Sequence, residues 1–459
     1  MNQDKAHIKK TVSDLKSIFR AGKTQRIDHR ISVLRNLKAV IIANESRILS
    51  ALNRDLRKCE TEAWMAEVNE VIREIDLVIK KIKTWSKPKR VRTPLAHQPA
   101  KSYIRSEPLG VVLVIGPWNY PFLLMMAPLI GAIAAGNCAL MKPSELAPAT
   151  SSLIRKLIME ELDSECIRVL EGGVKETSRV LEERFDHIFF TGGETVGRIV
   201  MKAAAEHLTP VVLELGGKSP CIVDKDVDPL LTARRICWGK FINAGQTCIA
   251  PDYLLVHKDI KPVLLEALKK EVIAFFGEDP QQSKEFTRII NHRHFDRVTS
   301  LMQSGKVAFG GGTDRSDLYI APTILDDVEI HDPIMKEEIF GPLLPVINVD
   351  SVRQAIEFIN KRPKPLALYL FSKNKLKEKQ VVSQTSSGGV CINDTIMHIT
   401  SPYLPFGGVG PSGMGNYHGH AGFRAFSHEK SVMSRGTAID PDLRYPPYSP
   451  WLKRILKWI

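Results

Sequence analysis

The chain has 459 residues, room for two or three domains of roughly 100–200 residues with large cores. Hydrophobic residues make up 44% and charged residues 25%, the balance of an ordinary globular enzyme, and no apolar run reaches the ~20 residues of a membrane-spanning helix. The net charge of +13 would suit nucleic acid, an anionic membrane or an anionic cofactor, and reads most simply as a surface of solvated lysines.

Residues 4 to about 84 read as helices. Val12, Leu15, Ile18 and Phe19 share one face, and Leu34, Leu37 and Ile41 share another. Val68, Val71, Ile72, Ile75, Val78, Ile79 and Ile82 keep helical spacing. These stripes face a core. The basic segment Lys87-Pro88-Lys89-Arg90 then reads as a linker or edge strand. It has no aromatic interleaving beyond Trp85, so no nucleic-acid partner is expected. From residue 111 the pattern changes. Short apolar runs at 111–115, 138–141, 167–170, 187–190 and 211–213 alternate with helix-like stretches. This is the signature of a doubly wound parallel sheet, which binds nucleotides beyond the carboxyl ends of its strands. A second alternating set runs from 215 to about 405, with strands at 253–256, 343–349, 366–371 and 389–392 and helices near 229–241, 260–276 and 351–361. The chain from Pro411 is rich in Gly and His, then in Pro.

The seven cysteines are scattered, with no CxxC pair and no zinc-type Cys/His spacing, so no metal site is expected. Free thiols and an N-terminus without the apolar core of a signal peptide imply a cytoplasmic protein.

Two stretches carry chemistry. Leu213-Glu214-Leu215-Gly216-Gly217-Lys218 sets one carboxylate beside two glycines, and Asn243-Ala244-Gly245-Gln246-Thr247-Cys248 sets one thiol in a turn of small residues. Together they supply a base and a nucleophile. Read singly, Glu214 is a satisfied carboxylate at a strand end and Cys248 a small buried hydrophobe. No GxGxxG follows a strand. The nearest candidate is Phe190-Thr191-Gly192-Gly193-Glu194-Thr195-Val196-Gly197, whose backbone N–H groups could face a pyrophosphate. Lys142 and Glu145, in Met141-Lys142-Pro143-Ser144-Glu145, suit ribose hydroxyls.

These segments, in this order, resemble the active-site signatures of the aldehyde dehydrogenase superfamily over about residues 5–435. The short N-terminus, Cys237-Trp238-Gly239-Lys240-Phe241, Leu404-Pro405-Phe406-Gly407-Gly408 and Phe426-Ser427-His428 narrow the resemblance to the class 3, fatty-aldehyde branch. The resemblance implies an α/β fold. An NAD-binding domain (1–84 and 104–214) would be followed by a catalytic domain (215–410), with a small β dimerisation arm (85–103 and 426–436) and a tail (437–459). It implies oxidation of medium- or long-chain aliphatic or aromatic aldehydes to acids by a homodimer using NAD, with NADP also possible. Cys248 would be the nucleophile, Glu214 the general base, and Asn119, in Pro117-Trp118-Asn119-Tyr120-Pro121, the oxyanion donor with the Cys248 N–H. Lys142, Glu145, Gly192, Gly193, Val196, Gly197, Glu338 and Phe340 would hold the cofactor. Many members carry serine where this chain has Gly193, which removes one hydroxyl contact to phosphate. Tyr120, Trp238, Ile396 and Phe406 are candidate walls of a substrate tunnel. A cationic nicotinamide and a helix N-terminus are candidate activators of the thiol.

Two rivals remain open on the sequence. One is an acyl-transferring (CoA-acylating) or reductase member of the superfamily, which would not need Glu214. The other is a non-catalytic structural or membrane-associated dimer, against which intact Asn119, Glu214 and Cys248 argue. Residues 451–459 gather Trp451, Leu452, Ile455, Leu456, Trp458 and Ile459 on one helical face. This segment is expected to dock over the substrate entrance, or else to rest on an anionic membrane surface.

Overall fold

In a computed structural model the described residues are 2–440, 445–448 and 451. The predicted tail face therefore lies outside the described residues, apart from an exposed Trp451. No helix among the described residues is long and apolar enough to cross a membrane.

Two sheets organise the chain. The first has six strands in the order Gly413–Met414, Val211–Glu214, His187–Thr191, Val111–Ile115, Cys138–Lys142 and Ile167–Val169. All neighbours are parallel except Gly413–Met414, which runs against Val211–Glu214. Every residue of Val111–Ile115, Cys138–Lys142 and His187–Thr191 is buried. Strands covered on both faces must be continuously apolar, which is why they stand out as runs. One face is covered by Leu123–Ala135, whose residues from Leu124 onward are all buried, and Gly136 ends this helix in the left-handed conformation. Around it pack Ile27–Ala43 and Asn69–Trp85, the latter burying Val71, Ile75, Val78 and Ile82. The expected core-facing stripe is thus observed.

The second sheet has seven strands in the order Lys306–Phe309, Thr323–Asp326, Leu343–Val349, Tyr253–His257, Pro220–Val223, Ala367–Phe371 and Gly389–Ile392. Only Lys306–Phe309 is antiparallel. Three of these strands escape the sequence reading. Pro220–Val223 follows too closely on Glu214, Thr323–Asp326 is short, and Lys306–Phe309 lies exposed on the edge.

A third, antiparallel sheet joins Lys89–Val91, Ala100–Pro108 and Ser427–Arg435. The Gly- and His-rich segment is ordered too. It contributes Gly413–Met414 to the first sheet and the helix Gly419–Ala425, which packs on Leu123–Ala135.

Candidate active site

The cysteine turn is built by a backbone reversal. The helix Pro229–Phe241 starts with proline at its first turn and with the Asp228 side chain accepting from Leu231 N at 3.0 Å. After Phe241 the chain turns back through Asn243, Ala244 and Gly245, all at positive φ. A Cβ at Gly245 would stand 2.3 Å from the Gly341 carbonyl, so glycine is required there. The other two positions are strained, and buried amides hold them. Gln246 Nε2 donates to the Asn243 and Arg288 carbonyls, both at 3.0 Å, and Gln246 Oε1 accepts from Ile290 N at 3.0 Å. The turn ends at Cys248. No helix begins there, so the expected helix N-terminus does not activate the thiol. Burial, and then the Glu338 and Glu214 carboxylates, push the thiol well above its ordinary range, while the N–H groups of Cys248 and Ile249 oppose this weakly.

Asn119 is buried and locked to the same turn. Its Nδ2 donates to Gln246 O at 2.9 Å, and its own carbonyl accepts from Asn243 Nδ2 at 2.9 Å. One amide N–H thus fixes the plane of the side chain, and a second N–H remains on the same nitrogen. Tyr120 lies beside it, its hydroxyl bonded to Thr247 Oγ1 at 2.8 Å.

Glu214 ends the strand Val211–Glu214. Its carbonyl accepts from Gly192 N at 3.0 Å, which ties it to the glycine turn. The carboxyl is buried, and neither oxygen has a hydrogen-bond partner among the described residues. Burial alone raises its pKa well above the carboxylate range. An unpaired buried carboxyl is costly to keep and marks a functional site.

Two cavities meet at these groups. A cleft of about 500 Å³ is lined by Trp118, Asn119, Gly192, Gly193, Val196, Glu214, Gly216, Cys248, Glu338 and Phe340, among others. A second, mainly apolar cavity of about 370 Å³ is lined by Tyr120, Trp238, Ile396 and Phe406. Leu124, Thr191, Glu214, Leu215 and Cys248 line both. The sulfur, the unpaired carboxyl and the fixed amide therefore share one chamber, open on one side to the more polar cleft and on the other to the apolar channel.

The cleft fits a dinucleotide on its own features. Gly193 starts the helix Glu194–Ala205, and a Cβ there would meet no atom within 4 Å, so the backbone stands open. Gly192 packs on the Phe190 ring and Gly197 on Leu215, where a Cβ would come within 2.5 Å and 2.7 Å of its neighbours. Opposite, Gly216 makes room for Glu338, whose Oε2 would lie 2.0 Å from an added Cβ. Burial and the nearby Asp252 push the Glu338 carboxyl up to about 8. Arg297 fixes this loop from below by donating to the carbonyls of Glu338 (3.2 Å) and Ile339 (2.5 Å). Phe340, at φ 50, meets Trp118 edge-on with ring centroids 5.3 Å apart. Lys142 and Glu145 do not line the cleft. Lys142 is buried at a strand's carboxyl end, donates to Pro143 O at 2.8 Å and stands 3.9 Å from Glu145. Its carbonyl accepts from Gly116 N at 3.2 Å, next to the Pro117 and Trp118 of the cleft wall.

Several lining residues come from stretches that show only core periodicity in the sequence. Met65, Asn69 and Arg73, in and just before Asn69–Trp85, line the apolar channel beside Ile399, Pro402 and Tyr417. Asn69 and Arg73 are spaced i, i+4 beside the buried stripe, a weak signal that any solvated helix face also gives. Among the described residues no cluster of His, Cys, Asp or Glu could hold a metal ion.

The family model for the aldehyde dehydrogenase family matches residues 1–432. The dimeric NADP-preferring aldehyde dehydrogenase of Rattus norvegicus is 50% identical over 442 residues, covering 96% of this chain and 98% of that protein. The 4,4'-diaponeurosporen-aldehyde dehydrogenase of Staphylococcus aureus is 48% identical over 444 residues, with 96% and 97% covered. The solved substrate-bound state of Staphylococcus aureus AldH superposes with a TM-score of 0.96 at 47% identity, covering 98% of this chain and 99% of that one. A betaine aldehyde dehydrogenase of the same organism, solved with NAD+, gives a TM-score of 0.86 at 27% identity, with 95% and 91% covered. A thiol, an unpaired buried carboxyl and a fixed amide in one chamber thus sit in a chain that belongs to the aldehyde dehydrogenase family.

Proposed function

We propose that the chain oxidises aldehydes with extended apolar tails to carboxylic acids, using NAD or NADP, through a thioester on Cys248. The observation that carries this reading is the chamber where Cys248, Glu214 and Asn119 meet between the more polar cleft and the apolar channel. Cys248 Sγ adds to the carbonyl carbon, giving a tetrahedral adduct with a negative oxygen. That oxygen receives the remaining Asn119 N–H and the Cys248 backbone N–H. A nicotinamide cofactor held in the cleft would supply the hydride acceptor that this adduct needs. The acyl group is then a thioester, and Glu214 takes a proton from water as the water attacks it. Burial and the neighbouring carboxylates favour the protonated thiol, so attack requires that Glu214, once it has shed its own proton, accept the thiol proton, or that a bound cation offset the carboxylates around it.

Gly192, Gly193 and Val196 would face the cofactor phosphates, with Gly197 seating the helix on Leu215 behind them, Glu338 and Phe340 would face its nicotinamide end, and Lys142 and Glu145, outside the cleft lining, its adenosine ribose. Glu145 is partly exposed and Lys142 lies against the protein, so a 2′-phosphate meets one carboxylate it can push aside. Use of both cofactors follows, in keeping with the name of the rat relative. Tyr120, Trp238, Ile396 and Phe406 would wall the aldehyde's tail. The division of the chain assigns 1–84 and 104–214 to cofactor binding and 215–410 to catalysis. The arm, 85–103 and 426–436, would be the dimer contact; its sheet is exposed along the outer strand Ser427–Arg435, and its strand Ala100–Pro108 runs on into the cofactor-binding part.

The test is a length series from acetaldehyde to a long fatty aldehyde, with each cofactor and without CoA. Acid and NAD(P)H should form in equal amounts, with kcat/KM rising with chain length. Acid formation that needs added CoA would move the protein to the acyl-transferring rivals. No NAD(P)H with any aldehyde would support the non-catalytic reading.

A further inference from the structure

Lys58 and Glu67 form an ion pair at 2.6 Å, and both side chains are fully buried. Burying two charges is costly, and apolar replacements often do as well, so the partners of the pair indicate what it does. Glu67 Oε2 accepts from Phe122 N at 2.9 Å and Leu123 N at 3.2 Å, the open amides at the start of the helix Leu123–Ala135. Lys58 Nζ donates to Asn119 O at 3.3 Å and lies 4.1 Å over the Tyr120 ring. All of these contacts fall on residues 119–123. Neither Lys58 nor Glu67 lines the cleft or the channel. On its far side the same loop is tied to the cysteine turn, through Asn243 Nδ2 on Asn119 O and Asn119 Nδ2 on Gln246 O. Glu62, from the same N-terminal segment, accepts from Asn243 N at 3.0 Å.

We infer that Lys58 and Glu67 are positioning residues of the reaction: their buried pair sets where the Asn119 amide stands relative to Cys248. The inference rests on the role of Asn119 given under Proposed function. A group misplaced by about 1 Å can cost ~10²-fold in rate, so a pair that fixes this loop has leverage without touching substrate.

The test is a double-mutant cycle read by the rate of the first-turnover NADH burst, alongside thermal unfolding and cofactor binding. Asn119→Ala should slow the burst by about 100-fold or more, as loss of an oxyanion donor does. Lys58→Met should slow it at least tenfold while cofactor affinity stays within twofold. Added to Asn119→Ala, Lys58→Met should cost less than a further threefold, because both changes remove the same placement. The neutral pair Lys58→Met/Glu67→Gln should recover thermal stability while its burst stays slow. A burst that returns with stability, or fully additive losses in the cycle, would overturn the inference. If Lys58→Met does not fold, Glu67→Gln takes its place in the cycle, since its amide oxygen still accepts from Phe122 and Leu123. A wild-type protein that forms no NADH in a first turnover would sink the functional reading and this one with it. A wild-type burst with unchanged variants would sink this one alone.

Discussion

Glu214→Gln separates the two halves of the proposed reaction. The change keeps the size of the side chain and removes only its ability to take a proton. Neither carboxyl oxygen has a hydrogen-bond partner among the described residues, so the amide breaks no bond. Loss of a general base costs about 10²–10⁴ in rate, or about 2.7–5.4 kcal/mol at 1.36 kcal/mol per decade. The loss should fall on deacylation, provided that Cys248 still forms its adduct. Rapid mixing with aldehyde and NAD should then give close to one NADH per active site, followed by a steady state at least 100-fold slower than wild type. Intact-mass measurement should show the acyl group on the peptide carrying Cys248. Stability carries an independent sign. Burial holds the Glu214 carboxyl neutral, whereas the unfolded chain ionises it near its ordinary 4.5. The native state therefore holds the extra proton, and this group's contribution is fully present below about pH 4.5 and lost as pH rises toward the raised folded value. Glutamine does not titrate, so the melting temperature of the variant should gain on wild type between about pH 5 and pH 8. A steady state within threefold of wild type would refute the assignment; a burst lost together with the steady state would place Glu214 at the thiol proton rather than at the water.

Cys248→Ala should abolish NADH formation while fluorescence titration still detects cofactor binding; retained turnover would remove the nucleophile. Hydrolysis of the preformed acyl-enzyme should speed up as pH rises, since Glu214 acts only after shedding a proton that burial holds tightly, and the Gln variant should lose that slope. Gly216→Ala should weaken cofactor binding about tenfold or more. Its backbone is not at positive φ, so the effect comes from a Cβ placed 2.0 Å from Glu338 Oε2, which must move. Unchanged affinity in that variant would show that Glu338 does not face the cofactor.

Much of the framework is legible in the chain itself. Strands buried on both faces must be uniformly apolar, so 111–115 can be read to the residue, and the bounds of 343–349, exposed only at Asn348, and of the half-buried edge strand 389–392 are legible as well. Pro229 and the left-handed turn after Phe241 bound a helix for local reasons. Glu214 and Cys248 stand out only together, because both segments are complete and in the order that resembles the family; singly each reads as an ordinary strand-end carboxylate or buried thiol. Other features are not local. Gly413–Met414 is too short to show a period and exists only because Val211–Glu214 offers it an edge. Lys58 and Glu67 resemble any surface charges until the fold closes over both. That Glu214 lacks a partner, that Asn119 is pinned to Gln246, and that Asn69 and Arg73 reach the channel wall are properties of distant segments brought together. Periodicity reports which side of an element is apolar. What that side meets, and which polar groups are left unpaired against it, is decided only when the elements pack.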